Sequence, residues 1–141
     1  MKVVDSHMHV QYHGLDASGV INEMNAFGID RAWILTWQIP PYEDVSATHL
    51  AFSPLNIRAD GTHSGSPLRD VVEALAQYPD RFVGGYCPWP GSGYAGDEFE
   101  SAYHTHGIRI CGEWSYRMLL DDPRSIQLFQ RAGALNCPVV L

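Results

Sequence analysis

Two histidines, His7 and His9, stand two positions apart just after the first apolar run of the chain, Val3-Val4. Because side chains alternate between the two faces of a strand, both imidazoles are expected to project to one side if this segment is extended. Two neutral imidazoles on one face can hold a Zn²⁺-class cation, but a catalytic site needs about three or four protein ligands. The spacing therefore predicts part of a metal site. The alternative is a chance pair on a surface strand, since the chain has seven histidines in 141 residues.

Short β-like runs and helix-like stretches alternate along the chain. Residues 32–36 form a continuous apolar run, the pattern of a parallel strand that is covered on both faces. Strands alternating with helices at this interval predict βαβ units, and hence an α/β fold with a parallel sheet and right-handed crossovers. The predicted strands are 3–5, 32–36, 82–86, 108–111 and 138–141, and the predicted helices are 20–27, 66–78, 97–106 and 122–136.

Proline and capping residues mark the starts of two helices. Ser66-Pro67 predicts an N-cap followed by proline at the first helical position, and Asp122-Pro123 opens the last helix in the same way. In that helix Ile126, Phe129 and Leu135 are expected to face a core.

The repeat count suggests part of a larger barrel. A (β/α)₈ barrel of the TIM type needs roughly 250 residues, and this chain holds four and a half repeats. The last apolar run stops at Leu141 without a covering helix, which would leave an exposed sheet edge. The expectation is that residues 1–141 are the N-terminal part of a single barrel domain, truncated in its fifth strand. The alternative is a complete half-barrel domain.

Six segments in order resemble the amidohydrolase superfamily, specifically its amidohydrolase-related group of metal-dependent hydrolases and aminocarboxymuconate-semialdehyde decarboxylase-like decarboxylases. They cover nearly the whole chain: VDSHMH at 4–9, GIDRA at 28–32, YPDRFVG at 78–84, GIR at 107–109, LDDPR at 120–124 and CPVVL at 137–141. The resemblance implies roughly the first half of a (β/α)₈ barrel, with the active site at the carboxyl ends of the strands, where His7 and His9 stand.

The resemblance also implies the chemistry. A bound metal would lower the pKa of water toward about 7, polarise a substrate oxygen, or do both. A further histidine ligand would follow directly after Leu141, and a sixth-strand histidine and an eighth-strand aspartate, the general base, would lie further on. No catalytic residue is therefore assigned within the chain, and the fragment alone is expected to be inactive.

The expected cofactor is one divalent ion, Zn²⁺. Binuclear members of the superfamily commonly use a carboxylated lysine at the end of the fourth strand, whereas the single lysine here is Lys2. Arg109 lies on the fourth strand instead, and a guanidinium that stays protonated cannot be carboxylated. This predicts a mononuclear site. Glu113 is an alternative carboxylate ligand, or else an exposed loop glutamate.

The candidate substrate-binding residues are Trp37, Trp89, Arg109 and Glu113. Trp37 opens a segment to Gly65 that is far longer than the usual ~2–6-residue loop. That segment also carries aromatic and cationic groups suited to a flat, carboxylated substrate: Tyr42, His49, Phe52, Arg58 and His63. Trp89 is expected at the barrel mouth. Arg109 is expected to clamp a carboxylate bidentately, or to pair with Glu113 in a structural role.

Composition and a competing motif limit the other functions. The net charge of −7 and pI of about 5.3 disfavour nucleic acid and anionic membranes as partners. Cys87, Cys111 and Cys137 form no CxxC motif and fit buried thiols in a reducing cytoplasm. The GxGxxG pattern at 91–96 is separated from its strand by Pro88-Trp89-Pro90, so it does not fit a dinucleotide site.

Three interpretations of function remain open. The preferred one is a metal-dependent, amidohydrolase-like hydrolase that acts on a small carboxylated substrate through a metal-activated water. The alternatives are a metal-dependent decarboxylase of the same family, or a non-catalytic α/β binding module that forms a homodimer and so hides its open sheet edge.

Overall fold

The computed structural model describes residues 2–12, 14–38 and 65–141, and strands alternate with helices along them. The strands β1 (Val4–Met8), β2 (Arg31–Leu35) and β3 (Phe82–Gly85) form a parallel sheet in the order β1-β2-β3. The helices are α1 (Ala17–Ala26), α2 (Leu68–Gln77), α3 (Ala95–His106) and α4 (Pro123–Ala134), with a short 3₁₀ turn at Pro90–Ser92. The predicted α/β class with parallel β/α units is confirmed.

Two further segments continue the sheet beyond β3 as single bridges. Gly85 pairs in parallel with Ile110, and Cys111 pairs in parallel with Val139. Residues of the predicted fourth and fifth strands therefore pair at the expected positions, but through isolated bridges and not as extended strands. Because all these pairings are parallel, the carboxyl ends of the segments meet at one edge of the sheet.

The core lies between the sheet and the helices. Ala32 and Ile34 on one face of β2 and Leu35 on the other are fully buried, as expected for a strand covered on both faces. Gly84 of β3 makes room for its neighbours, because a Cβ there would lie 2.6 Å from Cδ1 of Leu75 and 2.9 Å from Cδ1 of Ile108. As predicted, the cysteines are buried. Within the described ranges, no helix combines the length and apolar character needed to cross a membrane.

The start of α2 differs from the sequence prediction. Pro67 occupies the N-cap position and no side chain caps the helix, which begins at Leu68. The Ser66 hydroxyl, predicted to be the cap, instead donates to the carbonyl of Val10 at 3.3 Å. The predicted cap is wrong because this buried hydroxyl is used for a contact with a distant segment.

The buried face of α4 also differs from the prediction. Ile126 is 40 % exposed and Phe129 is only partly buried, whereas Leu135, just after the helix, packs against the core as predicted. The small side chains of Ser125 and Ala132 allow the helix to approach the core closely. The hydroxyl of Ser125 donates to the carbonyl of Leu119 at 2.8 Å. The buried residues of α4 are Ser125, Leu128 and Ala132.

Asp122 caps α4 as predicted. Its Oδ1 accepts the backbone N–H of Arg124 at 2.9 Å, and its Oδ2 pairs with Nη2 of the same arginine at 2.8 Å. The side-chain hydrogen bond from Arg124 is the largest cause that lowers the pKa of Asp122, to about 2. The hydrogen bonds of the folded chain therefore favour the ionised form of the Asp122 carboxylate.

We expect Asp122→Ala to lower the melting temperature by a few degrees at neutral pH, because the helix loses its cap. The pKa of Asp122 in the folded state lies below its ordinary value of 3.8, so the capping contribution is complete above about pH 4 and is lost as the pH falls toward 2. Thermal unfolding from pH 7 to pH 3 should show the gap from the wild type shrinking. Asp121→Ala is the matched control, and a gap independent of pH would contradict the assignment.

Candidate metal centre

His7 and His9 lie together at the carboxyl edge of the sheet. His7 is within β1, and His9 follows one residue after the end of that strand. Their ring centroids are 5.3 Å apart with an interplanar angle of 76°. The side chain of His9 is 12 % exposed and that of His7 is 48 % exposed. The structure thus brings the two imidazoles to one side, as their spacing predicts.

Glu113 joins the two histidines although it lies 106 residues beyond His7 in the chain. Its Oε2 is 2.9 Å from Nε2 of His7 and 3.2 Å from Nε2 of His9. Its backbone N–H donates to the carbonyl of Thr36 at 3.2 Å, which fixes the segment against the end of β2. The three side chains offer ligand atoms that all lie within 4.8 Å of one another. The structure therefore places the carboxylate of Glu113, predicted mainly as a substrate contact and alternatively as a ligand, beside both histidines.

The orientation of the His9 ring follows from its second nitrogen. Nδ1 of His9 lies 2.9 Å from the carbonyl oxygen of Leu35 at the end of β2. Because a carbonyl can only accept, Nδ1 carries the hydrogen, and in a neutral ring Nε2 presents its lone pair to Glu113. A lone pair and a carboxylate oxygen then face each other at 3.2 Å. Two acceptors at this distance need a proton or a cation between them.

The carboxylate of Glu113 is held in its ionised form. When a proton lies between Nε2 of His9 and the carboxylate, the resulting hydrogen bond from His9 is the largest cause that lowers the pKa of Glu113, and the neighbouring His7 acts in the same direction. Partial burial opposes this shift without reversing it. The cluster therefore combines one anionic oxygen ligand with two imidazole nitrogens, which is a common donor set for divalent transition metals.

Aromatic side chains form the wall of the site. A cavity of about 340 Å³ is lined by the three cluster residues together with Tyr12 and Trp37. The ring centroids of Tyr12 and Trp37 are 6.2 Å apart at 82°, so the two rings form a corner. His9 lies 5.6 Å from the Tyr12 ring and 6.3 Å from the Trp37 ring. The structure thus brings Trp37, one of the predicted substrate contacts, to the site.

Sequence reasoning missed Tyr12. The residue lies three positions after His9, and its bridge to Leu15 belongs to a turn that the alternation of strands and helices did not predict. The available signal was an aromatic side chain close to the histidine pair at the end of a strand.

The structure does not bring Arg109 to the site. Its guanidinium lies 4.3 Å from the centroid of the Tyr103 ring and donates to the carbonyls of Tyr103 and Ile108 at 3.1 and 2.7 Å. Arg109 lies four positions before Glu113, or about 13 Å away at the rise of an extended chain. Arg109 therefore lies near the start of its segment, while the site is at the other end, and the contacts of Arg109 are structural ones.

Trp89 is also outside the cavity wall. It is partly buried and packs against the core, and its indole lies so close to Gly91 that a Cβ there would be 2.1 Å from the ring. The indole is thus turned onto its own 3₁₀ turn instead of the cavity. The other predicted substrate contacts, Tyr42, His49, Phe52, Arg58 and His63, lie outside the described residues.

Neither a protein-family model nor a curated protein matches the sequence. Solved structures match the fold. A Staphylococcus aureus protein described as an amidohydrolase matches with a TM-score of 0.65 and 21 % identity, covering 99 % of this chain and 46 % of its own. An Acinetobacter baumannii protein described as a probable 2-pyrone-4,6-dicarboxylic acid hydrolase matches with a TM-score of 0.58 and 15 % identity, covering 99 % of this chain and 48 % of its own.

A third match is the 5-carboxyvanillate decarboxylase of Novosphingobium aromaticivorans, solved in complex with manganese. Its TM-score is 0.59 at 22 % identity, covering 89 % of this chain and 34 % of its own. The chain thus spans about half, or less, of the length of these structures. At these identities the likeness concerns the fold alone, and it confirms the predicted parallel β/α units of a partial barrel.

Proposed function

We propose that the chain carries the first part of the metal centre of a metal-dependent hydrolase of the amidohydrolase type. The observation that supports this most directly is the 3.2 Å approach between Nε2 of His9 and the Glu113 carboxylate, while Nδ1 of His9 is used by the Leu35 carbonyl. A cation between these two acceptors would be bound by both. The hydrolases and the decarboxylase with the same fold support the class of enzyme.

The three residues fit a single divalent ion. Ligand atoms about 2.0–2.2 Å from a tetrahedral metal are separated by about 3.3–3.6 Å, slightly more than the 2.9 and 3.2 Å found between Glu113 and the histidines. Two imidazoles and a carboxylate suit Zn²⁺, our first candidate, and Mn²⁺ is the second because a matched structure contains manganese. Within the described part of the chain, this is the cluster with metal-ligand spacing, so we propose one ion per chain.

Each described residue of the site has a proposed role. When bound, a divalent ion supplies Lewis acidity and lowers the pKa of water toward about 7. His7, His9 and Glu113 would hold the ion, and the Leu35 carbonyl would keep His9 in the tautomer that offers Nε2. Glu113 is the one carboxylate among the described residues lining the cavity, and it is used as a ligand. A separate general base is therefore expected from another part of the whole protein.

The proposed substrate is a small, flat, carboxylated molecule. The corner of Tyr12 and Trp37 offers two aromatic surfaces to a planar group beside the metal ligands. Among the described residues that line the cavity, none is a lysine or arginine. The positive charge that a substrate carboxylate needs would come from the metal site.

Decarboxylation is the second candidate activity, and the fold match to a manganese-containing decarboxylase favours it. Both reactions use the same ligands, so the described residues do not separate them. The non-catalytic, self-associating binding module remains the prediction that applies if the whole protein neither binds metal nor turns over substrate.

We expect the purified protein to bind one equivalent of Zn²⁺ or Mn²⁺ per chain, and Glu113→Gln to weaken Zn²⁺ binding at least ~10-fold, because a neutral amide replaces an anionic ligand. Elemental analysis gives the stoichiometry, and competition with a chromogenic chelator gives the affinity. Glu100→Gln is the matched control, since Glu100 pairs with Arg131 away from the cavity. Two equivalents per chain would refute the mononuclear site, and an unchanged affinity would refute the role of Glu113.

We expect the metal-loaded whole protein to hydrolyse a lactone or amide within a panel of small carboxylic acids, including 2-pyrone-4,6-dicarboxylate, and to release no CO₂. Release of CO₂ from hydroxybenzoic acids in the same panel would support the decarboxylase instead. Chromatography of the products and a CO₂-coupled assay separate the two reactions. Loss of either activity on chelation and its recovery on adding metal would support metal dependence, while absence of both reactions would favour the binding module.

We expect Trp37→Leu to raise KM for the accepted acid about tenfold, with a smaller change in kcat, because the variant removes an aromatic wall of the cavity while keeping the ligands. Steady-state kinetics with that substrate gives both constants. Trp89→Leu is the comparison, because Trp89 packs against the core outside the cavity wall. Equal effects of the two variants on KM would contradict the role of Trp37.

A further inference from the structure

Ser66 is a fully buried polar residue next to the metal centre. Its hydroxyl donates to the carbonyl of Val10, 56 residues earlier in the chain. Val10 is itself buried and follows His9 directly. The Ser66 hydroxyl leaves helix α2 without a side-chain cap and instead connects the start of that helix to the segment after β1.

The backbone of Ser66 makes a second connection. Its N–H donates to the carbonyl of Trp37 at 2.8 Å, and its carbonyl accepts the N–H of Trp37 at 2.9 Å. This antiparallel bridge requires a glycine at the preceding position, because a Cβ on Gly65 would lie 2.0 Å from the Trp37 carbonyl oxygen. Gly65 also has a φ of +59°, in the left-handed region that favours glycine.

These contacts fix both sides of the site from one point. On one side, the ring of His9 is held by the hydrogen bond from its Nδ1 to the Leu35 carbonyl. Its backbone is held through the hydrogen bond from Ser66 to the carbonyl of the next residue, Val10. On the other side, the backbone of Trp37 is clamped directly, and its ring lies 6.3 Å from His9. A loss of this clamp would let the imidazole and the indole move independently.

We propose that Gly65 and Ser66 form a positioning element that sets the His9 imidazole and the Trp37 indole relative to each other. Neither residue touches the cavity; they act on it through Val10 and Trp37. The proposal rests on the proposed metal site for its functional meaning, since correct placement of His9 would then appear as metal affinity. Its structural content, the fixed ring of His9, is independent of metal.

The first test compares Ser66→Ala with Ser125→Ala. Ser125 is a matched control because it is equally buried and its hydroxyl also donates to a backbone carbonyl, that of Leu119, in a different part of the fold. We expect similar losses of melting temperature in both variants. Zn²⁺ affinity, measured by chelator competition, should fall about tenfold in Ser66→Ala and less than twofold in Ser125→Ala.

The second test compares Gly65→Ala with Gly28→Ala. Both glycines have positive φ, but a Cβ on Gly28 would meet nothing within 4 Å. The strain of the left-handed conformation is therefore common to both variants, and the clash with Trp37 is specific to Gly65→Ala. Zn²⁺ affinity should fall at least tenfold in Gly65→Ala and stay within twofold of wild type in Gly28→Ala.

A metal-free readout separates this proposal from the proposed function. Long-range ¹H–¹⁵N correlation spectra of the apo protein at pH 8 report which ring nitrogen of His9 carries the hydrogen. We expect a single Nδ1–H form in the wild type and in Ser125→Ala, and a mixture of the two tautomers in Ser66→Ala. A wild type that does not bind Zn²⁺ but shows this pattern would remove the metal site and keep the positioning role. The same spectrum in both serine variants, or equal effects on affinity, would overturn the proposal.

Discussion

The carboxyl end of β2 is the point on which the geometry of the candidate metal centre depends. The carbonyl of Leu35 accepts from Nδ1 of His9, and the carbonyl of the next residue, Thr36, accepts the backbone N–H of Glu113. The buried hydroxyl oxygen of Thr36 also accepts the N–H of Cys87 at 3.1 Å. Two consecutive residues thus hold one histidine, the carboxylate and the segment after β3. Because β2 is the middle strand of the three, this arrangement is supported from both sides.

The parallel sheet explains why these groups are available. At the carboxyl end of a parallel strand the last carbonyls have no ladder partner, and a buried carbonyl must find a donor elsewhere. Here the donors are an imidazole and the N–H of a segment that arrives from the fourth position of the sheet. The hydrogen bonds that complete the fold are therefore the same ones that orient the ligands. A site built in this way does not depend on the conformation of a single loop.

The sequence predicted the parts of the site that are local. The pairing of His7 with His9 follows from the period of two along a strand, and the order of strands follows from the alternation of apolar runs with helices. Glu113 was harder, because its approach to His7 spans 106 residues and depends on a fourth segment that forms only one bridge to β3. No feature of the local sequence distinguished Glu113 from other glutamates in loops.

Residue type does not fix the direction of a side chain, as two of the predicted residues show. Arg109 lies on the predicted segment, but it is at the end of that segment away from the site and uses Tyr103 as its partner. Ser66 has the sequence context of a helix cap, and yet its hydroxyl is taken by Val10, a partner that local sequence cannot reveal. In both cases a tertiary contact decided between two chemically reasonable alternatives.

The charge of the cluster suggests how metal and substrate depend on each other. With both imidazoles neutral, as metal ligands must be, and Glu113 ionised, the cluster would carry a charge of about −1, and a divalent ion would change this to about +1. The chain as a whole has a net charge of −7, and the described residues of the cavity wall include no lysine or arginine. An anionic substrate would therefore be repelled by the empty cluster and attracted by the loaded one. If the proposed function holds, the metal would be needed both to bind a carboxylated substrate and to activate it, so binding and chemistry would be lost together when the ion is removed.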